Sequence, residues 1–133
     1  MKLTRASSYA LHAVVHMAAQ KKNEPIASHT IAHARGIPDR FLLKVLKPLV
    51  SAQVLFSVKG PNGGYRLAKP ANEITMLEIL EAVDGPIRGS APGGYNDKDH
   101  HLRRRLDEIC NQSAEQIRKQ LGKVKISELA SKD

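Results

Sequence analysis

Four charged side chains recur at helical spacing between residues 39 and 47, namely Asp39, Arg40, Lys44 and Lys47. The planar fork of an arginine matches the two acceptors on a guanine edge, and a lysine suits a phosphate. A helix fits the major groove of B-form DNA, where the side chains near its N-terminus reach the base edges. We therefore expect Arg40, with Asp39 beside it, to read bases and the two lysines to hold phosphates.

The run Lys59–Arg66 is a second candidate site for nucleic-acid binding, because glycines alternate in it with polar and basic residues. A glycine has no side chain, so the backbone there can approach a phosphate or enter a minor groove. The alternative is that these glycines only form a turn. The DNA contacts expected outside the first candidate site are Lys2, Arg5, Ser28, Thr30, Lys59, Asn62, Gly63, Gly64, Tyr65 and Arg66.

Positive charge is concentrated in the first half of the chain. The 133 residues carry a formal net charge of +8 at pH 7. Residues 1–70 hold 11 Lys or Arg against 2 acidic residues, whereas residues 71–133 hold 10 against 11. This asymmetry indicates a basic face and a polyanionic partner, for which we expect double-stranded DNA. A merely solvated basic surface is the alternative.

Three short helices followed by a hairpin must position these residues. Apolar residues in the first helix repeat at the spacing of one helix face. The Ser28 hydroxyl is expected to cap the second helix, Gly36 to end it in a left-handed turn, and Phe41 to belong to the apolar set of the third. This order predicts a mainly α fold, a winged helix-turn-helix with a two-stranded wing and a long C-terminal dimerisation helix. The predicted helices span residues 7–20, 28–36, 39–52, 75–83 and 97–123, and the predicted strands span 54–58 and 65–68.

The long predicted helix carries a narrow apolar seam on an otherwise charged rod, made of Leu102, Leu106, Ile109, Ile117 and Leu121. A rod of this kind cannot bury its stripe alone, so we expect two copies to associate through it. A twofold pair of third helices in successive major grooves then predicts a palindromic operator.

The length and composition are those of a single structural domain with an ordinary globular core. Within it we expect a winged helix-turn-helix DNA-binding region over residues 1–85, a flexible loop over 86–96, and a dimerisation helix with a C-terminal turn over 97–133. No apolar run is long enough to cross a bilayer, no signal peptide is expected, and the cytoplasm is the expected location. The sequence has no nucleophile elbow, phosphate loop or nucleotide fingerprint, so we expect no enzymatic activity.

Cys110 is the only cysteine in the sequence, which excludes an intramolecular disulfide and a structural zinc site built from cysteines of one chain. Its place inside the long helix favours a packed, inert thiol over a redox switch. His100 and His101 are further candidates for contact with an effector. The histidines at positions 12 and 16, and at 29 and 33, pair at helical spacing, and we expect them to be solvated rather than to bind a metal.

Four segments of the chain form longer motifs, namely Met1–Thr4, Val58–Pro70, Ile74–Pro86 and Val124–Leu129. Together they resemble the Rrf2 family of bacterial winged-helix transcription regulators. The resemblance implies a homodimer joined through the long helix, which binds a palindromic operator and usually represses transcription.

The chain departs from that family pattern at several positions. Many members hold an iron–sulfur cluster on three cysteines in the loop before the long helix, whereas Pro86–His101 contains none, so we expect no cofactor. The family usually has a polar residue where Leu43 stands, which implies a different operator preference. Pro48 is expected to bend or shorten the third helix. Gln53 stands where the family favours glycine, so it must take a left-handed conformation or the helix must end another way.

Two alternatives to a regulator belong to other classes of function. One is a protein-interaction module that keeps the winged-helix scaffold and binds a protein through its helices. The other is a thiol- or ligand-gated sensor that uses Cys110 or the His100–His101 region. Salt-dependent binding to random duplex DNA separates the first from a regulator. A comparison with Cys110→Ser under peroxide separates the second.

Overall fold

The computed structural model describes residues 1–89, 98 and 100–130. They form a mainly helical domain with one two-stranded antiparallel sheet, as the sequence predicts. The predicted start of the long helix at residue 97, and residues 90–96 of the predicted loop, lie outside the described residues. The elements are α1 (Arg5–Ala18), α2 (Ser28–Arg35), α3 (Asp39–Ser51), β1 (Leu55–Val58), β2 (Gly64–Leu67), a 3-10 turn (Ala71–Glu73), α4 (Met76–Asp84), α5 (His100–Gly122) and α6 (Ile126–Ala130).

Helix α1 is the centre of the hydrophobic core. Its Ala10, Ala13 and Val14 are fully buried, and the helix packs against α2, α3, α4 and α6. Small residues on α1 let the neighbouring helices approach closely, and Leu42 and Leu46 of α3 fill the core from the other side. Since α3 buries this face against α1, its opposite face is left on the surface.

Polar contacts tie the N-terminus of α1 to the end of α4. The Thr4 hydroxyl accepts a hydrogen bond of 3.0 Å from the Ser7 backbone N–H, which caps the helix. The Thr4 and Ser7 hydroxyls both donate to the carboxylate of Asp84. Ser7 is the one polar residue that is buried among the described residues, and this carboxylate satisfies its hydroxyl.

Helix α2 ends as predicted but begins differently. Gly36 adopts a left-handed conformation with φ +64°, which confirms it as the residue that ends the helix. The prediction that Ser28 caps the helix is wrong, because Ser28 is its first residue and Ala27 holds the cap position without a side-chain hydrogen bond. Backbone hydrogen bonds between Ile26 and Tyr65, of 2.9 and 2.8 Å, hold the chain extended up to Ala27. This tertiary pairing sets where the helix begins.

Helix α3 continues through Pro48 as far as Ser51, so proline does not shorten it. Proline has no N–H, and the carbonyl of Lys44 therefore lacks its helical donor. Beyond the proline the helix is regular, and the Ala52 N–H donates to the Pro48 carbonyl over 2.9 Å. Gln53 then adopts φ +63°, the left-handed conformation that the sequence offered as one of two outcomes.

The hairpin that forms the wing pairs Leu55 with Leu67 and Phe56 with Arg66. Leu55 and Leu67 are buried, whereas Phe56 lies on the outer face. The side chain of Asn23 bonds both the N–H and the carbonyl of Leu67, at 3.1 and 2.9 Å. The base of the wing is therefore fixed to the segment that follows α1.

The capping box predicted at the start of α4 is present. The Thr75 hydroxyl accepts from the Glu78 N–H, and the Glu78 carboxylate accepts from the Thr75 N–H. Backbone bonds from Met76 to Val124 and from Ile126 to Ile74, of 2.9 and 2.8 Å, return the C-terminal segment to the core. The last helix therefore belongs to the same packed body as α1 and α4.

Candidate nucleic-acid interface

The outer face of α3 is the centre of the candidate interface. Asp39, Arg40, Lys44 and Lys47 are all exposed, as predicted. No acidic side chain in residues 1–89, 98 and 100–130 forms an ion pair with any of the three cations. Three unneutralised positive charges on one helix face are suited to phosphate oxygens, and Arg40 lies in the first turn, where base edges come within reach.

Two apolar residues lie on the surface of the same helix. Phe41 was expected in the apolar stripe, but 45% of its surface is exposed, and the Lys44 Nζ lies 5.6 Å from the centroid of its ring. Leu43 is 48% exposed. A helical projection of the sequence would have placed Leu43 on the exposed face, because it follows Arg40 by three residues and precedes Lys47 by four. Sequence reasoning treated it only as a missing polar contact.

Helix α2 adds polar residues at the edge of this surface. Thr30 is exposed and Ser28 is half-buried. A cavity of about 530 Å³ opens between α2 and the start of α3, with His29, His33 and Asp39 in its lining. No group of three or more His, Cys, Asp or Glu side chains in the described ranges has the geometry of a metal site.

The glycines of the wing are required by the fold itself. A Cβ on Gly63 would lie 2.1 Å from the Val58 carbonyl oxygen, and a Cβ on Gly64 would lie 2.2 Å from the Ile26 carbonyl oxygen. Gly60, with φ +107°, has open space around it. Turn formation and close packing against the strand-like segment before α2 thus explain Gly63 and Gly64, and their contact with DNA stays a prediction.

The wing residues differ in what their side chains contact. Lys59 and Asn62 are exposed at the tip. Tyr65 is half-buried and packs against the core. The Arg66 guanidinium lies 4.8 Å from the centroid of the Phe56 ring and donates to the Leu67 carbonyl over 3.3 Å. The side chains of Lys59 and Asn62 are therefore exposed to a partner at the tip. Those of Tyr65 and Arg66 already contact other residues of the same chain.

At the amino terminus, Lys2 and Arg5 are both exposed, and Arg5 is the first residue of α1. Neither side chain forms an ion pair with another described residue. They add two positive charges to the N-terminal region that carries the interface.

The apolar seam of α5 is exposed in its first half only. Leu102, Leu106 and Ile109 are 52%, 41% and 43% exposed, and Ile117 is half-buried. The assignment of Leu121 to a dimer seam is corrected, because Leu121 is only 7% exposed and is already covered within this chain. The final turns of α5 pack against α4, whose Leu77 reaches to the position of Gly122. The exposed apolar surface of α5 is therefore shorter than the sequence predicts.

The candidate sensor residues lie on α5. Cys110 is partly buried, and Gly89 packs on its backbone so closely that a Cβ there would lie 2.0 Å from the Cys110 carbonyl oxygen. His100 and His101 are exposed in the first turn. The structure thus distinguishes the partly buried Cys110 from the two exposed histidines.

Glu81 holds the segment after α4 against α5. Its carboxylate accepts from the Ile87 N–H at 2.9 Å and from the Arg118 guanidinium at 3.2 Å. Burial raises the pKa of Glu81, but these hydrogen bonds and the positive charge of Arg118 outweigh it and hold that pKa below its usual value. A cavity of about 460 Å³ lies beside this contact, with Arg88 and Asn111 in its lining.

A three-helix core that presents the outer face of α3 beside a short wing defines a winged helix-turn-helix protein of the DNA-binding class. A profile of the Rrf2 family, described as an iron-dependent transcriptional regulator, matches residues 3–132. The chain therefore belongs to the Rrf2 family.

Several of its relatives are named as transcriptional regulators. The HTH-type transcriptional regulator IscR of Vibrio campbellii is 32% identical over 113 residues, which cover 80% of this chain and 67% of that protein. Protein aau3 of Rhizobium meliloti is 38% identical over 85 residues, which cover 63% of this chain and 54% of that protein. The chain spans about three fifths of the length of several curated relatives. The names of IscR and of two relatives from Mycobacterium tuberculosis describe HTH-type transcriptional regulators and not enzymes.

The fold is also that of a solved structure. CymR, the global cysteine regulator of Bacillus subtilis, superposes with a TM-score of 0.77 at 24% identity, covering 100% of this chain and 99% of that one. This likeness confirms the winged-helix architecture with its long C-terminal helix. Within the described residues, no helix has both the length and the apolar content needed to cross a bilayer.

The description of the family as iron-dependent raises the question of whether these residues suit a metal cofactor. The sequence contains one cysteine, Cys110, whereas a cluster held by thiolates needs several. Cys110 lies inside α5, and the segment through Gly89 covers its backbone. The donor set of this chain therefore does not fit an iron–sulfur cluster held by cysteines of one subunit.

Proposed function

We propose that this chain is a homodimeric repressor that binds a palindromic operator in double-stranded DNA. One observation carries the proposal, namely that Arg40, Lys44 and Lys47 lie exposed and without ion-pair partners among the described residues on the outer face of α3. Contacts between such cations and phosphates supply most of a non-specific affinity for DNA, and the helix supplies the shape that a major groove accepts.

Each part of the interface has a separate role in this proposal. Arg40, with Asp39 beside it, reads base edges, because both lie in the first turn of α3. Lys44 and Lys47 hold phosphates along the groove. The remaining DNA contacts come from Lys2, Arg5, Ser28, Thr30, Lys59, Asn62, Gly63, Gly64, Tyr65 and Arg66, of which Lys59 and Asn62 are the exposed side chains at the wing tip.

A second copy covers the exposed part of the α5 seam. Leu102, Leu106 and Ile109 together form the apolar surface, with Ile117 at its edge. Burying such side chains against a twin removes apolar area from water, at about 25 cal/mol for each Å². A twofold axis through this contact relates two α3 helices, and a palindrome is the DNA sequence that matches such a pair.

The regulator acts in the cytoplasm and, in this proposal, without a cluster held by its own cysteines. Repression follows from position, because a dimer seated on an operator that overlaps a promoter excludes the polymerase. Its signal is then a molecule or a modification of another kind, for which His100, His101 and Cys110 on α5 are the candidate contacts.

Selection of bound duplexes from a random pool tests the proposal. We expect an enriched sequence with twofold symmetry, a complex with two protein chains for each duplex, and affinity that falls steeply with salt. Placing the selected sequence over a promoter in a purified transcription reaction should then reduce the transcript as protein is added. A rise in transcript would contradict repression but not the binding of DNA. An asymmetric selected site would contradict the palindrome. The absence of any bound duplex would favour a protein-interaction module.

A further inference from the structure

The outer face of α3 contains an apolar residue in the middle of its positive charges. Leu43 is 48% exposed, whereas its neighbours Leu42 and Leu46 are fully buried on the opposite side of the helix. It follows Arg40 by three residues and precedes Lys47 by four, and residues at these spacings are adjacent on a helix surface. Any partner that the two cations bind therefore also meets the Leu43 side chain.

The chemistry of this surface limits what can cover Leu43. The flanking cations require a polyanion, and Leu43 itself has no group that donates or accepts a hydrogen bond. In the major groove the C5-methyl group of thymine is the apolar feature that base pairs present, while the other exposed atoms are donors and acceptors. A leucine pressed against a G·C pair would leave those polar atoms without partners, which is costly.

We propose that Leu43 is a specificity-determining residue that contacts the C5-methyl group of a thymine in each half of the operator. The inference rests on the proposed binding to duplex DNA and adds the base preference of one position. Arg40 reads a purine edge through hydrogen bonds, whereas Leu43 recognises its base through apolar contact. The two residues thereby use different features of neighbouring base pairs.

Phe41 provides a matched control on the same helix. It is 45% exposed, nearly as much as Leu43, but Lys44 of the same chain lies over its ring at 5.6 Å. Residues two positions apart on a helix do not face the same way. Truncation of Phe41 therefore removes a comparable exposed apolar group without removing the contact assigned to Leu43.

The test is a deoxyuridine scan of the selected operator. Deoxyuridine pairs as thymidine does but lacks the C5-methyl group, so each substitution removes one methyl and leaves the hydrogen bonds in place. Each thymidine is replaced in turn, symmetrically in both half-sites, and the affinity of the wild type, Leu43→Ala and Phe41→Ala is measured on every duplex. Binding of each variant to random duplex DNA shows that it is folded and retains its phosphate contacts, and Leu43→Gln replaces Leu43→Ala if the alanine variant fails this check.

We expect one thymidine position at which deoxyuridine weakens wild-type binding by about fourfold per methyl group, the size expected for loss of one buried carbon. Leu43→Ala should be insensitive at that position, and Phe41→Ala should remain as sensitive as the wild type.

An operator with no sensitive thymidine, or equal sensitivity in Leu43→Ala, overturns the assignment while leaving DNA binding intact. Sensitivity lost in Phe41→Ala instead assigns the methyl to Phe41 and also overturns it. Failure to select any duplex overturns the proposed function and this inference with it.

Discussion

The Nε–H of Arg35 donates a hydrogen bond of 3.2 Å to Nδ1 of His16, and this bond joins α2 to α1. An imidazole nitrogen accepts a hydrogen bond only when it carries no proton. Burial lowers the pKa of His16 below its ordinary value of 6.5, and the nearby positive charge of Arg35 lowers it further. This hydrogen bond between the first two helices therefore requires a neutral histidine, and the nearby positive charge of Arg35 disfavours a metal cation at this ring.

Acidification should weaken the fold through His16. The unfolded chain binds a proton at this residue at higher pH than the folded chain does, so stability rises with pH across that interval. The contribution of neutral His16 to the free energy of unfolding is complete above about pH 6.5. It is lost as the pH falls through the lowered pKa of His16 in the folded state. Urea unfolding between pH 5 and 8 should show a smaller loss on acidification for His16→Gln than for the wild type. His12→Gln, at an exposed position of the same helix, should follow the wild type, and parallel curves for all three proteins would contradict this role.

Gln53→Gly should stabilise the protein. Gln53 is the one non-glycine residue with positive φ among the described residues, at +63°. The left-handed conformation costs an ordinary residue about 1 kcal/mol that glycine does not incur. We expect the free energy of unfolding, measured in urea, to rise by about 1 kcal/mol. Gln116→Gly, in the exposed interior of α5, should lower it by about 1 kcal/mol, and a Gln53→Gly variant that also loses stability would refute the strain at this position.

Local patterns in the sequence predicted the elements well where the determinants are near neighbours. The capping box of Thr75 and Glu78 and the left-handed Gly36 each depend on contacts within a few residues, and both are present. Ser28 fails as a cap because the pairing of Ile26 with Tyr65, distant in sequence, sets the start of α2. Such a pairing leaves no periodic signal in the sequence.

Helical periodicity shows which residues share a face but not where the edge of the buried face lies. Phe41 was assigned to the apolar stripe of α3, yet it stands at the margin and is exposed. Leu121 continues the seam of Leu102 and Leu106 in sequence, yet it is buried within the chain near the end of α5, which packs against α4. The choice between packing inside one subunit and packing against another depends on the tertiary arrangement, which spacing alone does not specify.

Gly64→Ala should disrupt the attachment of the wing. A Cβ at Gly64 would lie 2.2 Å from the Ile26 carbonyl oxygen, within the backbone pairing that precedes α2, and φ there is +147°. Because the obstructing atoms belong to the backbone, we expect a loss of about 1–3 kcal/mol in the free energy of unfolding. Gly60→Ala shares a positive φ but has open space around it, so its loss should be smaller. Equal losses in the two variants would show that conformational strain alone, and not the packing on Ile26, accounts for Gly64.

Lys44→Ala should weaken binding to all duplex sequences alike. If each subunit loses one phosphate contact, the slope of log affinity against log salt should flatten by about 0.9 for each subunit. Lys119→Ala removes the same charge from an exposed position near the end of α5, and its slope should match that of the wild type. An unchanged slope for Lys44→Ala would show that Lys44 does not contact a phosphate. Equal flattening in both variants would show that the change in net charge alone explains the effect.

Leu106→Glu should separate the proposed dimer without unfolding the chain. Leu106 is 41% exposed in the middle of the α5 seam, so a carboxylate there is solvated in a monomer but would be buried beside its twin in a dimer. Sedimentation equilibrium should give the mass of one chain for this variant and of two chains for the wild type, with similar helical content by circular dichroism. Gln112→Glu introduces the same charge at an exposed position of the same helix and should remain dimeric. Leu121→Glu, by contrast, places the charge at a position buried within the chain and should reduce the thermal stability of the folded chain itself. A Leu106→Glu variant that retains the mass of two chains would show that the twofold contact lies elsewhere on the molecule.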